Sequence, residues 1–208
     1  MLVDLRVRGK LAVVVGTGEA ARSRARMLER EGAHVVRTGA RRKGRRTVDP
    51  VEVIRRSRPQ VVFLTTWNGK ETEAIVRAAH RSGSLVHVYD TPERSDFTMP
   101  SIGEAGPIRF AVSTAGHSPA MAVLLRHRMQ RAIRPVDVAR VRLQGRIRSS
   151  ILRSIPTHER RREAIYRILR NRDVGRLLRE GRFEDAVAAA RHIVSAYSRT
   201  KSATPKTS

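Results

Sequence analysis

Two short segments hold residues whose types and spacing could do chemistry. The first is Gly16-Thr17-Gly18-Glu19-Ala20-Ala21, a G-x-G-x-x-A pattern. Gly16 would allow a tight turn, Gly18 a close backbone approach to a pyrophosphate, and Ala21 close packing of the following helix. The leading N–H groups of that helix would then face phosphate oxygens. Such a pattern is also compatible with a glycine turn that binds nothing; its weight comes from its place after the first strand of an α/β chain. The candidate cofactor contacts are Gly16, Gly18, Glu19 and Ala20, with Ala40 and Arg41 at the adenosine end. The second segment is Asp90, which follows the apolar run Leu85-Val86-His87-Val88-Tyr89. A carboxylate at a strand end suits proton removal, and it equally suits capping of the turn before Thr91-Pro92.

A third segment, Ser113-Thr114-Ala115-Gly116-His117-Ser118-Pro119, reads as a strand–loop–helix junction, with Ser118 as N-cap and Pro119 at the first helical position. A helix N-terminus also attracts carboxylates, so Ser113, Thr114, His117 and Ser118 are candidate substrate contacts, although a loop histidine is commonly only solvated. Met99-Pro100-Ser101 would shape a pocket wall. With no cysteine and no H-E-x-x-H pattern, the reading includes no metal site, disulfide or cysteine-ligated cluster.

The elements that must position these groups follow from the apolar pattern. Leu11–Val15 is a continuous β-branched run of the kind buried on both faces of a parallel sheet. Residues 19–31 carry Ala21, Ala25 and Leu28 at helical spacing and stop at Gly32. Strands at 33–37, 60–65, 85–89 and 108–113 alternate with helices at 51–56, 70–82 and 118–131. That alternation predicts a Rossmann-type, doubly wound parallel sheet. No acid closes the second strand to hold ribose hydroxyls; Arg37-Thr38-Gly39-Ala40-Arg41 stands there instead. Arginines there suit a 2′-phosphate and hence NADP, while backbone and Thr38 could hold the adenosine of NAD, so the choice stays open. After Pro135 the pattern is helical only, over 136–150, 158–169, 173–180 and 183–195. The domains expected are a dinucleotide-binding domain over 1–113, a helical dimerisation and substrate region over 114–198, and a disordered tail over 199–208.

The 208 residues carry 43 Lys+Arg against 19 Asp+Glu, a formal charge of +24, with a sequence pI near 11.8. Such a chain attracts polyanions: nucleic acid, an anionic surface, or a small ligand bearing many carboxylates or phosphates. Aromatic residues are only 4%, too few to suggest the stacking platforms of a single-strand binder. No apolar run approaches the roughly 20 residues that span a bilayer, and Met1–Arg6 lacks the apolar stretch of a signal peptide. A soluble, cytoplasmic protein without a membrane partner is expected.

From Val86 onward the sequence becomes specific. Val88-Tyr89-Asp90-Thr91-Pro92, Ser95-Asp96-Phe97-Thr98-Met99-Pro100-Ser101-Ile102 and Ala111–Pro119 closely resemble the precorrin-2 dehydrogenase family, which includes the N-terminal module of sirohaem synthases. Ser118–Arg126 continues the likeness, Gly16–Ala21 fits the family's glycine motif, and Leu177–Ala186 fits its tail. The resemblance implies oxidation of precorrin-2 to sirohydrochlorin with hydride passing to NAD, in some members with iron insertion to make sirohaem. It implies that Asp90 takes part in proton removal and that the substrate is a polycarboxylate tetrapyrrole, which gives the basic charge a second explanation. The helical extension over 114–198 in so short a chain suggests a homodimer. The chain departs from the family's pattern at Thr17, at Thr65-Thr66-Trp67-Asn68, at Thr72, at Thr114 where the family has a serine, and at Ala115 where glycine is usual. These departures motivate an alternative: a non-catalytic basic protein of the same fold that binds nucleotide or nucleic acid.

Overall fold

The apolar runs of residues 11–88 become four strands of one sheet, as their pattern predicts. The structure, a computed structural model, describes residues 2–39 and 48–199. β1 (Leu11–Val15), β2 (His34–Thr38), β3 (Val61–Leu64) and β4 (Leu85–Val88) lie in the order β2-β1-β3-β4, every pairing parallel. They alternate with α1 (Gly18–Arg30), α2 (Pro50–Ser57) and α3 (Gly69–Arg81).

Because successive strand residues face opposite sides, the sheet supports two cores. Val13, Val15, Val62, Leu64, Val86 and Val88 pack with Ile54 of α2 and with Ile75, Val76 and Ala79 of α3. Ala12, Val14, Val61 and Phe63 pack with Ala21, Ala25 and Leu28 of α1. Covering both faces is why β1 and β3, the two inner strands, are apolar throughout, whereas the edge strand β2 is mostly exposed and carries His34, Arg37 and Thr38. Asp49 starts α2 by accepting the Val51 N–H at 3.0 Å, with Pro50 in the first helical position. The chain leaves β1 toward β2 on one side and returns to β3 on the other. The ends of β1 and β3 therefore flank the switch point where open α/β sheets bind ligands.

The chain divides into two compact units between Met99 and Pro100, not at residue 113 as the sequence suggested. The segment expected as a further strand of the parallel sheet is instead half of a hairpin. β5 (Ser101–Ala105) and β6 (Ile108–Val112) form a separate antiparallel pair. Gly106, at φ 57°, lies in the tight reversal between them. A parallel pairing would have needed a crossover of a dozen or more residues. The sequence offered no apolar run over β5, whose strand character depends on its partner. Phe110 lies over Gly103, where an added Cβ would sit 2.2 Å from the ring's Cζ.

Within the second unit, α4 (Pro119–Ala132) is followed by α5 (Pro135–Ser154), α6 (His158–Arg170), α7 (Arg172–Arg179) and α8 (Phe183–Arg199). Leu143, Ile147, Ile151 and Ile155 recur every four residues along and just past α5. They pack against Ile168 of α6, Val174 and Leu178 of α7, and Val187 and Val194 of α8. The expected helical region is thus present, each helix extending by one to four residues at an end. Among the described residues, no helix is long and apolar enough to cross a membrane.

Candidate active site

The glycine motif sits at the switch point. Gly16 adopts φ 133° and is buried, and its N–H donates to the Thr38 carbonyl at 3.0 Å. A Cβ on Gly16 would lie 2.0 Å from the Thr65 Oγ1, so only glycine fits between the ends of β1 and β3. Gly18 has φ 77° and open space where its Cβ would be, which leaves the backbone approachable. Thr17 precedes α1 without a capping side-chain bond, so the first-turn N–H groups keep their donor capacity for a ligand. This uncapped, glycine-lined N-terminus fits a dinucleotide pyrophosphate.

Glu19 and Ala20 are both exposed in the first turn. The Glu19 carboxylate does not face the turn freely. It accepts from Arg22 Nε at 2.9 Å and pairs with Arg26, and these hydrogen bonds, Arg22's first, hold its pKa below the usual carboxylate value. Its negative charge is offset by two guanidinium groups. Ala40 and Arg41 lie outside the described residues. Thr38 is buried and donates its hydroxyl to the Val48 carbonyl at 2.7 Å.

Asp90 follows β4, at the same carboxyl edge of the sheet. It adopts φ 55°, a left-handed conformation that aspartate tolerates better than most residues. Its side chain is exposed and makes no hydrogen bond or ion pair among the described residues. The turn is held instead by Thr91, whose hydroxyl donates to the Tyr89 carbonyl at 3.2 Å, and by Ser95, whose hydroxyl bridges Val88 and Thr91. The capping role considered for Asp90 is not what the structure uses it for.

Between α1 and the ends of β3 and β4 lies a pocket of about 240 Å³, lined by Ala20, Ser23, Arg24, Phe63, Leu64, Thr65, His87 and Tyr89. Of these, only Ala20 was among the candidate contacts. Arg24 places its guanidinium 5.8 Å from the centre of the Phe63 ring, and His87 is packed among Phe63 and Phe97 at 5.3 and 5.6 Å. Burial, and secondarily the Arg24 charge, push the His87 pKa below its ordinary value; burial also lowers that of Arg24. A signal for both was present: Arg24 interrupts the apolar stripe Ala21-Ala25-Leu28, and His87 stands inside an otherwise apolar strand.

The departures from the family's pattern have local roles. Thr72 is buried and its hydroxyl accepts the Asn68 N–H at 2.7 Å, while the Asn68 amide donates to Glu71 at 2.9 Å. Trp67 lies beneath the guanidinium of Arg94, which also binds Glu73 at 2.7 Å. The substrate-contact candidates Ser113, Thr114, His117 and Ser118 all belong to the second unit. Ser118 caps α4 by accepting the Met121 N–H at 3.2 Å, as expected. Thr114 Oγ1 accepts from Ser118 N and donates to the Ser118 carbonyl, and Ser113 Oγ accepts the Ala115 N–H. His117 is exposed. Ala115 and Gly116 take φ 51° and 86°, so the loop requires the left-handed region twice.

Comparison with known proteins agrees with this geometry. A family model for NAD(P)-binding domains matches residues 3–101. The chain is 32% identical to a siroheme synthase of Nitrosomonas eutropha over 143 residues, 63% of this chain and 30% of that protein. It is 30% identical to siroheme synthase 2 of Aeromonas salmonicida, over 74% of this chain and 35% of that protein. The chain thus spans about a third of the length of these curated relatives. The solved structure of SirC, a precorrin-2 dehydrogenase, superposes with a TM-score of 0.66 at 18% identity, covering 91% of this chain and 99% of that one, which establishes the shared fold. The chain thus carries an NAD(P)-binding domain over residues 3–101, aligns with part of the length of siroheme synthases, and shares the fold of SirC.

Proposed function

We propose that the protein is a precorrin-2 dehydrogenase, oxidising precorrin-2 to sirohydrochlorin with a nicotinamide dinucleotide. The observation that carries this reading is the pairing, on one sheet edge, of an uncapped glycine turn at the switch point with the unpartnered carboxylate of Asp90. Gly16, Gly18, Glu19 and Ala20 present their backbone to the pyrophosphate, and the adenosine end is assigned from the sequence to Ala40 and Arg41. The dinucleotide held there would supply the hydride acceptor for the oxidation that gives the tetrapyrrole a further double bond. Asp90 accepts the accompanying proton, its carboxylate being unpaired among the described residues. Ser113, Thr114, His117 and Ser118 contribute polar contacts to the carboxylate-rimmed substrate, supported by the exposure of Ser113 and His117 beside a helix N-terminus.

NAD is the cofactor of this reading; the absence of an acid in Arg37-Thr38-Gly39 leaves room for NADP. Iron insertion into sirohydrochlorin is a further activity of the same proposal, with Asp90 as the group that would receive a pyrrole proton. A cytoplasmic homodimer completes it. Met121, Val123, Leu124 and Met129 of α4 are each at least 41% exposed, apolar surface that a second copy of this chain would cover in part.

The test is anaerobic incubation with precorrin-2 and NAD or NADP, following sirohydrochlorin absorption and reduced nicotinamide together. Stoichiometric appearance of both, lost in Asp90→Asn, is the expected result. No turnover with either dinucleotide would overturn the reading.

A further inference from the structure

We infer that Arg24, with Ser23, His87 and Tyr89, forms a carboxylate-binding subsite that seats one acidic arm of the tetrapyrrole; this rests on the dehydrogenase reading.

The starting point is a cation without an acid. Arg24 is half-buried on the sheet-facing side of α1, yet among the described residues it pairs with no carboxylate; its guanidinium lies against the Phe63 ring and makes a long, weak contact to Met27 Sδ at 4.0 Å. The arginines on either side behave differently: Arg22 and Arg26 reach Glu19 at the exposed surface. Partly burying a guanidinium without a counter-charge is unfavourable, and an anion entering the pocket removes that penalty.

The neighbours suit an anion. Ser23, His87 and Tyr89 line the same pocket as Arg24 and can each donate a hydrogen bond, while among the described residues no Asp or Glu lines it. The planar fork of arginine matches a carboxylate in two-point contact. Phe63 and Leu64 complete the wall and suit the methylene stem that joins a carboxylate to a macrocycle. At about 240 Å³ the pocket is smaller than the roughly 300 Å³ at which pockets for whole ligands begin, so it fits an arm of a larger molecule.

Position separates the substrate from the dinucleotide as the source of the anion. The pyrophosphate is assigned to the first turn of α1, whereas Ser23 and Arg24 lie one turn further along and face the ends of β3 and β4. Asp90 follows directly after Tyr89 on that edge. An acidic arm held by Arg24 would anchor the macrocycle near the proposed base.

The experiment is equilibrium titration of the full chain with sirohydrochlorin, which carries the same acidic arms, in parallel with titrations of NAD and NADP. Wild type is compared with Arg24→Met, which preserves the apolar packing of the stem, and with Arg24→Lys, which restores a point charge. The expected result is a 10- to 100-fold loss of sirohydrochlorin affinity in Arg24→Met, partial recovery in Arg24→Lys, and unchanged dinucleotide affinity. Methyl-esterified sirohydrochlorin should bind wild type and Arg24→Met equally. Equal sirohydrochlorin binding by wild type and Arg24→Met would overturn the subsite alone. A loss confined to NAD or NADP would reassign the anion to a dinucleotide phosphate and also overturn it. Absence of sirohydrochlorin binding by wild type would overturn both the subsite and the dehydrogenase reading.

Discussion

The Gly16 Cα and the Thr65 side chain are in such close apposition that a single added methyl at Gly16 would fall 2.0 Å from Thr65 Oγ1. That hydroxyl itself donates to the Val15 carbonyl at 3.1 Å, tying the end of β3 to the end of β1. The switch point is therefore a clasp in which the glycine supplies the room and the threonine the bond.

Gly16→Ala should destabilise the protein by on the order of 2 kcal/mol or more, since it combines overpacking with a positive φ. Denaturant unfolding of Gly16→Ala, Thr65→Ala and the double variant tests this. The double variant should be less destabilised than the sum of the two, because Thr65→Ala removes the clash, though not the φ penalty. Strict additivity would show that the two residues do not meet.

Asp90 separates strain from chemistry. Asp90→Gly should raise stability by roughly 0.5–1 kcal/mol, since glycine occupies φ 55° without penalty. Asp90→Asn should leave stability nearly unchanged. Both should reduce precorrin-2 turnover by roughly 10²-fold or more, the scale of a lost general base. Full turnover in Asp90→Asn would remove the carboxylate from the mechanism.

The Thr114–Ser118 loop makes a graded stability series. Ala115→Gly should stabilise by roughly 0.5–1 kcal/mol because alanine is held at φ 51°. Ser118→Ala should cost about 1 kcal/mol through loss of the bond to the Met121 N–H. Thermal unfolding of the two variants should shift in opposite directions.

His87 predicts an acid-side loss of stability. Its folded pKa lies below the ordinary histidine value of 6.5, by burial first and by the Arg24 charge second. The unfolded chain therefore binds the proton more readily, so stability falls as pH drops through 6.5 and the loss levels off below the folded pKa. Urea unfolding of wild type and His87→Asn across this range should show a shallower fall in the variant. Parallel curves would mean that His87 titrates alike in both states.

The exposed apolar side chains of α4 give a hydrodynamic prediction. Leu124 is 41% exposed beside Met121, and Leu124→Glu should convert a dimer to a monomer in sedimentation velocity without unfolding the chain. A monomeric wild type would remove the homodimer from the proposal.

What the sequence determined by itself was local and periodic. Leu11–Val15 and Val61–Leu64 read as parallel strands because both of their faces are covered. Asp49, Pro50, Ser118 and Pro119 marked helix starts because capping involves residues only a few positions apart. The glycine motif was legible for the same reason. What only the tertiary structure decided depended on contacts between distant segments. Ser101–Ala105 becomes a strand because Phe110 covers Gly103, and Ile108–Val112 leaves the parallel sheet because Gly106 turns the chain back. Gly16 needs Thr65, 49 residues away. Arg24 and His87 share a pocket only because α1 packs over β3 and β4 at one edge. Periodicity reports which face of an element is buried; which residues meet across that burial is set by the register and crossing of elements far apart in the chain.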